Sequence, residues 1–269
     1  MTAAHVTAPG TERIAEAFAR AHADGRRAAL MPYMMAGYPD VERSREIAAA
    51  YVDGGADLIE LGIPFSDPLA DGPVIHAAAV AALEAGATLH ECLTVAAAVA
   101  ERVPVILMSY INPILARGVE RFCDELVATG VCGLIVPDLP REESGLVTAA
   151  CAARGLALVP LVAPTTPPDR MTEIVAAATG FIYTVAVTGT TGERTGSDGD
   201  VPALLARVRG DARVPVALGF GISTPEQASA AAAAGAEGVI VGSRFVRAAG
   251  EADAVAIGEL VRAFATALR

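Results

Sequence analysis

The sequence contains no lysine: all 20 basic residues among its 269 are arginines. Without lysine the chain cannot form a Schiff base with a carbonyl substrate or carry pyridoxal phosphate covalently, so lysine-dependent aldolase chemistry is excluded. A Walker A phosphate loop is excluded for the same reason. Long apolar runs are also missing. Hydrophobic residues make up 53% of the chain and mean hydropathy is +0.46, yet alanine dominates that fraction. Gly, Pro or charge cuts every run short of the roughly 18 to 20 residues of a membrane span. There is no cluster of arginines, and a net charge of −11 with a pI near 4.8 would repel nucleic-acid phosphates, so neither membrane nor nucleic acid is expected as a partner. Cysteine is scarce. Cys92, Cys123, Cys132 and Cys151 show no CxxC or zinc-like spacing, which points to reduced structural thiols and to no metal. The opening MTAAHVTAPG lacks a basic stretch followed by an apolar one, so no secretory signal is expected and the chain reads as cytoplasmic.

The length suits either two ordinary domains or one α/β barrel of about 250 residues, and the order of elements chooses between them. Ile14, Ala17, Phe18 and Ala21 stand at helical spacing, with Thr11 as a candidate cap, so a lead-in or lid helix is expected first. Eight strand-like runs then alternate with helical stretches. They begin near residues 30, 56, 104, 132, 156, 180, 215 and 237, and the last helix covers about 252 to 268. INP after the third strand reads as loop, and LALVPLVAPTT as one fifth strand. No linker or composition break divides the series. The expectation is α/β, a single (β/α)8 TIM barrel over residues 11–269 with an extra N-terminal helix, after a flexible segment 1–10; a doubly wound sheet is the weaker alternative.

In a barrel the chemistry sits on loops after the strands, and LIELGIPFSDPLADGP, residues 58 to 73, is such a junction. Glu60 lies among strand formers near a carboxyl end, an expensive place for a charge. Either it is a buried ion pair or hydrogen-bonded structural acid, or it is a proton-transfer group whose pKa desolvation brings toward working pH. Asp71, on a loop with more solvent, is expected to stay ionised and to stabilise developing positive charge; its alternative is a turn-forming Asp before Gly72. Asp67 before Pro68 has the same alternative, and His76 lacks a second histidine for a metal pair.

GFGIS at 219 to 223 and VGS at 241 to 243 end the last two strands in glycine-rich turns. Such turns, running toward helix amino termini, suit an anion, and barrels that bind phosphate do so there; the alternative is tight turns alone. Gly189 and Gly192 after the sixth strand offer a third wall. Period-two counting places Glu60 inward with Leu58, and Ile59 and Leu61 toward the helices. By the same counting Met108 with Tyr110, Tyr33 with Met35, and Phe181 with Tyr183 share faces, and with Phe220 they describe an apolar chamber for a flat ligand or, equally, barrel filling.

The motifs PYMMAGYPD, ELGIPFSDPLADGPVI, GLIVPDLPREES, TGTTGER, GFGIS and VGS closely resemble the tryptophan synthase α subunit family, over nearly the whole chain. The resemblance implies a (β/α)8 barrel that cleaves indole-3-glycerol phosphate to indole and glyceraldehyde 3-phosphate. It implies Glu60 as general acid and base, Asp71 as partner of the indole nitrogen, and Tyr183 near the reacting carbons. Tyr33, Met108, Tyr110, Thr191 and Phe220 are then expected around the substrate, and Gly192, Gly219, Gly221, Gly242 and Ser243 around its phosphate. It further implies no cofactor on this chain, and a β subunit that carries pyridoxal phosphate, receives indole and completes an αββα heterotetramer, with Pro64, Asp67, Asn112 and Pro140 at the contact.

Three positions depart from the family pattern: Cys132 where Asp is common, Met35 where a small polar residue is common, and Arg244 where a small apolar residue follows the serine. A free-standing lyase and a catalytically silent activating barrel remain as alternatives. Loops 62–73 and 188–199 are expected to be mobile without ligand, from their Gly, Pro and polar content.

Overall fold

The structure, a computed structural model, describes residues 8–185, 200–219 and 221–269. In chain order its elements are α1 (Gly10–Ala23), β1 (Ala29–Met35), α2 (Val41–Gly54), β2 (Ile59–Gly62), α3 (Pro73–Glu84), α4 (Leu89–Val99), β3 (Val105–Met108), α5 (Ile111–Arg117), α6 (Val119–Ala128) and β4 (Gly133–Ile135). A short 3-10 turn (Arg141–Glu143) leads into α7 (Gly145–Ala152), β5 (Ala157–Leu158), β6 (Leu161–Val162), α8 (Pro168–Ala176), β7 (Ile182–Val185), α9 (Asp200–Arg209), β8 (Val216–Gly219), α10 (Pro225–Ala233), β9 (Gly238–Val241), α11 (Ser243–Glu251) and α12 (Ala254–Ala267).

All strand pairs are parallel, and the sheet order is β5-β4-β3-β2-β1-β9-β8-β7-β6. Its two ends, β5 and β6, are consecutive pieces of the expected fifth strand, which is therefore not one run. Pro160 has no N–H to donate, so the ladder breaks there. On one side of the break Val159 N–H donates to Leu134 O at 2.9 Å; on the other, Pro160 O accepts from Tyr183 N–H at 3.0 Å. The chain thereby leaves β4 and joins β7, and the sheet closes into the expected barrel.

Alternation sorts the strands as period-two counting expected. Met31, Leu58, Ile106, Phe181, Ala217 and Ile240 fill the interior, while Leu30, Ile59, Leu61, Leu107, Ile182 and Val239 pack under the helices. The amino-terminal end of the barrel is plugged by α1, whose Ile14, Ala17, Phe18 and Ala21 join the interior cluster, with Phe18 tilted on Phe181 at 6.0 Å. Arg13 on the same helix donates to Gly130 O at 3.0 Å, to Cys132 Sγ at 3.1 Å and to Ala100 O. Cys132 therefore packs beneath α1 at the closed end, far from the strands' carboxyl ends. α1 is a plug, not a lid.

Several local expectations change. The residue before α1 is Pro9, and Thr11 lies inside the helix without capping it. Gly10 is already helical; residues 1–7 of the expected flexible segment lie outside the described residues. INP opens α5 rather than a loop, with Ile111 N–H held by Asp138 Oδ1 at 2.9 Å. The sequence reading also passed over α11, although Phe245, Val246, Ala248 and Ala249 are its buried side and carry helical spacing.

Candidate active site

β2 presents Glu60 level with Tyr33 of β1 and Ile106 of β3. The parallel ladder on both sides fixes its direction, inward at the carboxyl-terminal end. Its side chain is only 1% exposed, and neither carboxyl oxygen has a hydrogen-bond partner among the described residues. No arginine among the described residues pairs with it, so none of them makes it a buried ion pair. Burial, with a smaller push from Asp71, raises its pKa from 4.5 to about 8. Glu60 is thus mostly protonated at neutral pH and close enough to working pH to give and take a proton.

Asp71 stands on the loop between β2 and α3, beside Gly72, which caps α3. Burial raises its pKa, while the Tyr110 hydroxyl and then the His76 ring pull it back. Asp71 is half-buried, so its surroundings are drier than the loop's composition implied. Tyr110 is what holds this loop. Its hydroxyl accepts from Ala70 N–H at 3.0 Å, and its ring stacks on Phe65 at 5.2 Å.

Two tyrosines flank Glu60, and each depends on a glycine. The Tyr33 phenol lies over Gly62, where an added Cβ would come within 2.6 Å of its Cζ; the Tyr183 hydroxyl lies 2.5 Å from where a Cβ on Gly219 would be. Burial raises both phenols well above their ordinary pKa, and the Glu60 carboxylate adds to the effect on each. They are neutral O–H groups that can donate or accept. Gly219 thus serves as the floor under Tyr183, at the last position of β8, and does not line the cavity as a phosphate contact.

These groups surround a cavity of about 520 Å³ lined by Tyr33, Glu60, Asp71, Met108 and Tyr183, by Gly221, Ile222 and Ser223 after β8, and by Gly242, Ser243, Arg244 and Arg247 at the start of α11. That volume lies in the usual range of a small-molecule site. A second cavity of about 420 Å³ on the flank between α7 and α8 is lined by no carboxylate among the described residues. Gly221 has φ +77°, a conformation that a side chain would oppose. At the β9–α11 junction the first N–H groups of the helix have no intrahelical acceptor and face an anion well.

Of the remaining expected residues, Tyr110 stands behind Asp71 rather than on the cavity wall. Phe181 packs at the closed end and Met35 under the helices, so neither joins the chamber. Ile75, Pro137, Leu161, Val185 and Ile240, which the sequence reading did not single out, complete its apolar walls. Period two marks Ile240 as inward, but only the closed barrel shows which inward residues reach the mouth. Gly189, Thr191, Gly192, Phe220 and the loop expected at 188–199 lie outside the described residues. Asp67, Asn112 and Pro140 are exposed, whereas Pro64 is buried under its loop and offers no surface to a partner; exposed Leu69, missed by the sequence reading, lies on that loop instead.

Fold and site define a (β/α)8-barrel enzyme with a desolvated carboxyl at the barrel mouth. The sequence profile of the tryptophan synthase alpha chain family matches residues 18–267. The tryptophan synthase alpha chain of Prochlorococcus marinus (strain MIT 9313) is 50% identical over 236 residues, 87% of this chain and 86% of that one. A structure of Mycobacterium tuberculosis tryptophan synthase in space group F222 superposes with TM-score 0.88 at 37% identity, covering 96% of this chain and 98% of that one. The tryptophan synthase a2b2 complex from Pyrococcus furiosus gives TM-score 0.81 at 38% identity, over 88% and 97%. The chain belongs to the tryptophan synthase alpha chain family. Among the described residues no helix is long and apolar enough to cross a membrane, and no group of three or more metal-ligating side chains occurs.

Proposed function

We propose that this cavity cleaves indole-3-glycerol phosphate to indole and D-glyceraldehyde 3-phosphate, a lyase reaction, with Glu60 as the acid and base. The protonated carboxyl of Glu60 gives its proton to the indole carbon that bears the glycerol chain, and the ring becomes a cation. The resulting carboxylate then takes the proton of the neighbouring glycerol hydroxyl. Its O–H electrons form the aldehyde, the C–C bond breaks, and the bond's electrons return to the ring and restore indole. Glu60 ends protonated, ready for the next turnover. Asp71 faces the ring N–H and stabilises the cation, Tyr183 and Tyr33 orient the reacting carbons, and Gly221, Gly242 and Ser243 hold the phosphate through backbone N–H groups.

One observation carries this reading: a carboxyl without a partner among the described residues, 1% exposed, with its pKa raised to about 8, in the same cavity as a second carboxylate and two glycine turns. No step requires a cofactor on this chain. The partner is a β subunit in an αββα heterotetramer of the cytoplasm, carrying pyridoxal phosphate and docking over Asp67, Leu69, Asn112 and Pro140. The test is indole release by the purified chain, with and without a β subunit. Glu60→Gln and Asp71→Asn should each lower turnover by at least about a hundredfold while circular dichroism is unchanged, and turnover close to that of the unmodified chain in either variant would refute the assignment.

A further inference from the structure

The cavity is electrically divided. Its acids, Glu60 and Asp71, come from β2 and the loop after it; its only lining cations among the described residues, Arg244 and Arg247, come from α11 after β9. In the sheet order β2 and β9 both adjoin β1, so the acids and the arginines enter the cavity from opposite sides of the strand that carries Tyr33. Arg244 and Arg247 are three apart on one helix and share a face. Arg244 is half-buried and Arg247 exposed, and no described carboxylate pairs with either. A cation in the first turn of a helix opposes the helix dipole, and the first turn of α11 holds no acidic residue to offset it. An anionic ligand would offset both. The other wall supplies the independent sign that this cavity takes a ligand: Glu60, buried and without a partner among the described residues, lines it.

We infer that Arg244 and Arg247 form a side-chain clamp for the phosphate of the substrate, beyond the backbone N–H groups of the glycine turns. This rests on the phosphate-ester substrate proposed above. With a net charge of −11 the chain repels a dianion at a distance, and two guanidinium groups at the mouth reverse that field locally and draw the phosphate in. They also set direction. The phosphate end goes to α11, and the ring end, which becomes cationic, goes to Asp71. Arg244, half-buried, makes the direct contact; Arg247, in solvent, acts mainly on approach.

The experiment is steady-state indole release by the full chain with its β subunit, comparing indole-3-glycerol phosphate with the phosphate-free indole glycerol. In Arg244→Ala/Arg247→Ala, KM for the phosphate ester should rise about tenfold or more while kcat stays within about twofold, the signature of lost uniform binding. The fall of kcat/KM with added KCl should flatten. The phosphate-free compound should be turned over as by the unmodified chain, and Arg244→Lys should recover most of the affinity. Arg247→Ala alone, at an exposed position, gives a second reading should the double variant fold poorly: its kcat/KM must fall and its salt dependence weaken. Unchanged KM and unchanged salt dependence in these variants would overturn the clamp. An unmodified chain that releases no indole would overturn the underlying function instead, so the two failures are distinguishable.

Discussion

Replacing Glu60 with glutamine keeps the shape of the side chain and removes the one group on β2 that ionises. In the folded chain its pKa is raised from 4.5 to about 8, so the folded state holds a proton that the unfolded state has released between those values. Stability contributed by this group is therefore fully present below pH 4.5 and is lost as pH rises toward and through 8. Each tenfold change in proton affinity is worth about 1.4 kcal/mol, so ionisation of Glu60 costs the fold about 1 kcal/mol at pH 5 and about 4 kcal/mol at pH 8. Glutamine cannot ionise. The variant should gain on the unmodified chain by about 3 kcal/mol between pH 5 and pH 8, even as indole release collapses. Urea unfolding of both proteins at the two pH values measures this directly, since every other titrating group is common to both and cancels. A stability difference that does not change with pH would refute the burial argument and with it the acid–base assignment of Glu60.

The same pKa predicts that turnover falls as pH rises through about 8, because the carboxyl must be protonated to begin the reaction; a pH–rate profile of kcat that is flat to pH 9.5 would count against it. Gly219→Ala places a Cβ 2.5 Å from the Tyr183 hydroxyl, so it should cost about 1 to 3 kcal/mol by overpacking and lower kcat by moving the phenol. Thermal unfolding and single-turnover assays would show both effects, and the loss of neither would remove Tyr183 from the reaction. Ile14→Ala, in the plug at the closed end, should cost about 2 to 5 kcal/mol and leave KM untouched; a changed KM would mean that α1 is coupled to the mouth.

Much of the barrel was legible because its signals are local. Glycines, prolines and period-two apolar runs mark strands, and Glu60 stands out because a carboxylate among strand formers has few explanations. What failed was also local in cause. Pro160 split a run that looks continuous, since the missing donor matters only once a ladder exists. Only nine residues long and set between β9 and the long last helix, α11 carries helical spacing in Phe245, Val246, Ala248 and Ala249 but too short a run of it to stand out in sequence. Pro64, expected at a partner surface, is buried, because whether a loop residue faces outward depends on what the loop folds onto; Tyr110, expected on the chamber wall, instead holds the loop that carries Asp71.

The sequence by itself determined the alternation of elements, the inward face of β2, the exclusion of lysine chemistry and the two carboxylates. These follow from backbone geometry and from which functional groups exist, neither of which needs a partner in space. Only the tertiary structure decided that Glu60 has no counterion among the described residues, that Tyr33 and Tyr183 rest on Gly62 and Gly219, and that arginines and acids line one cavity. Desolvation and close packing arise between segments far apart in the chain, and no window of sequence contains them.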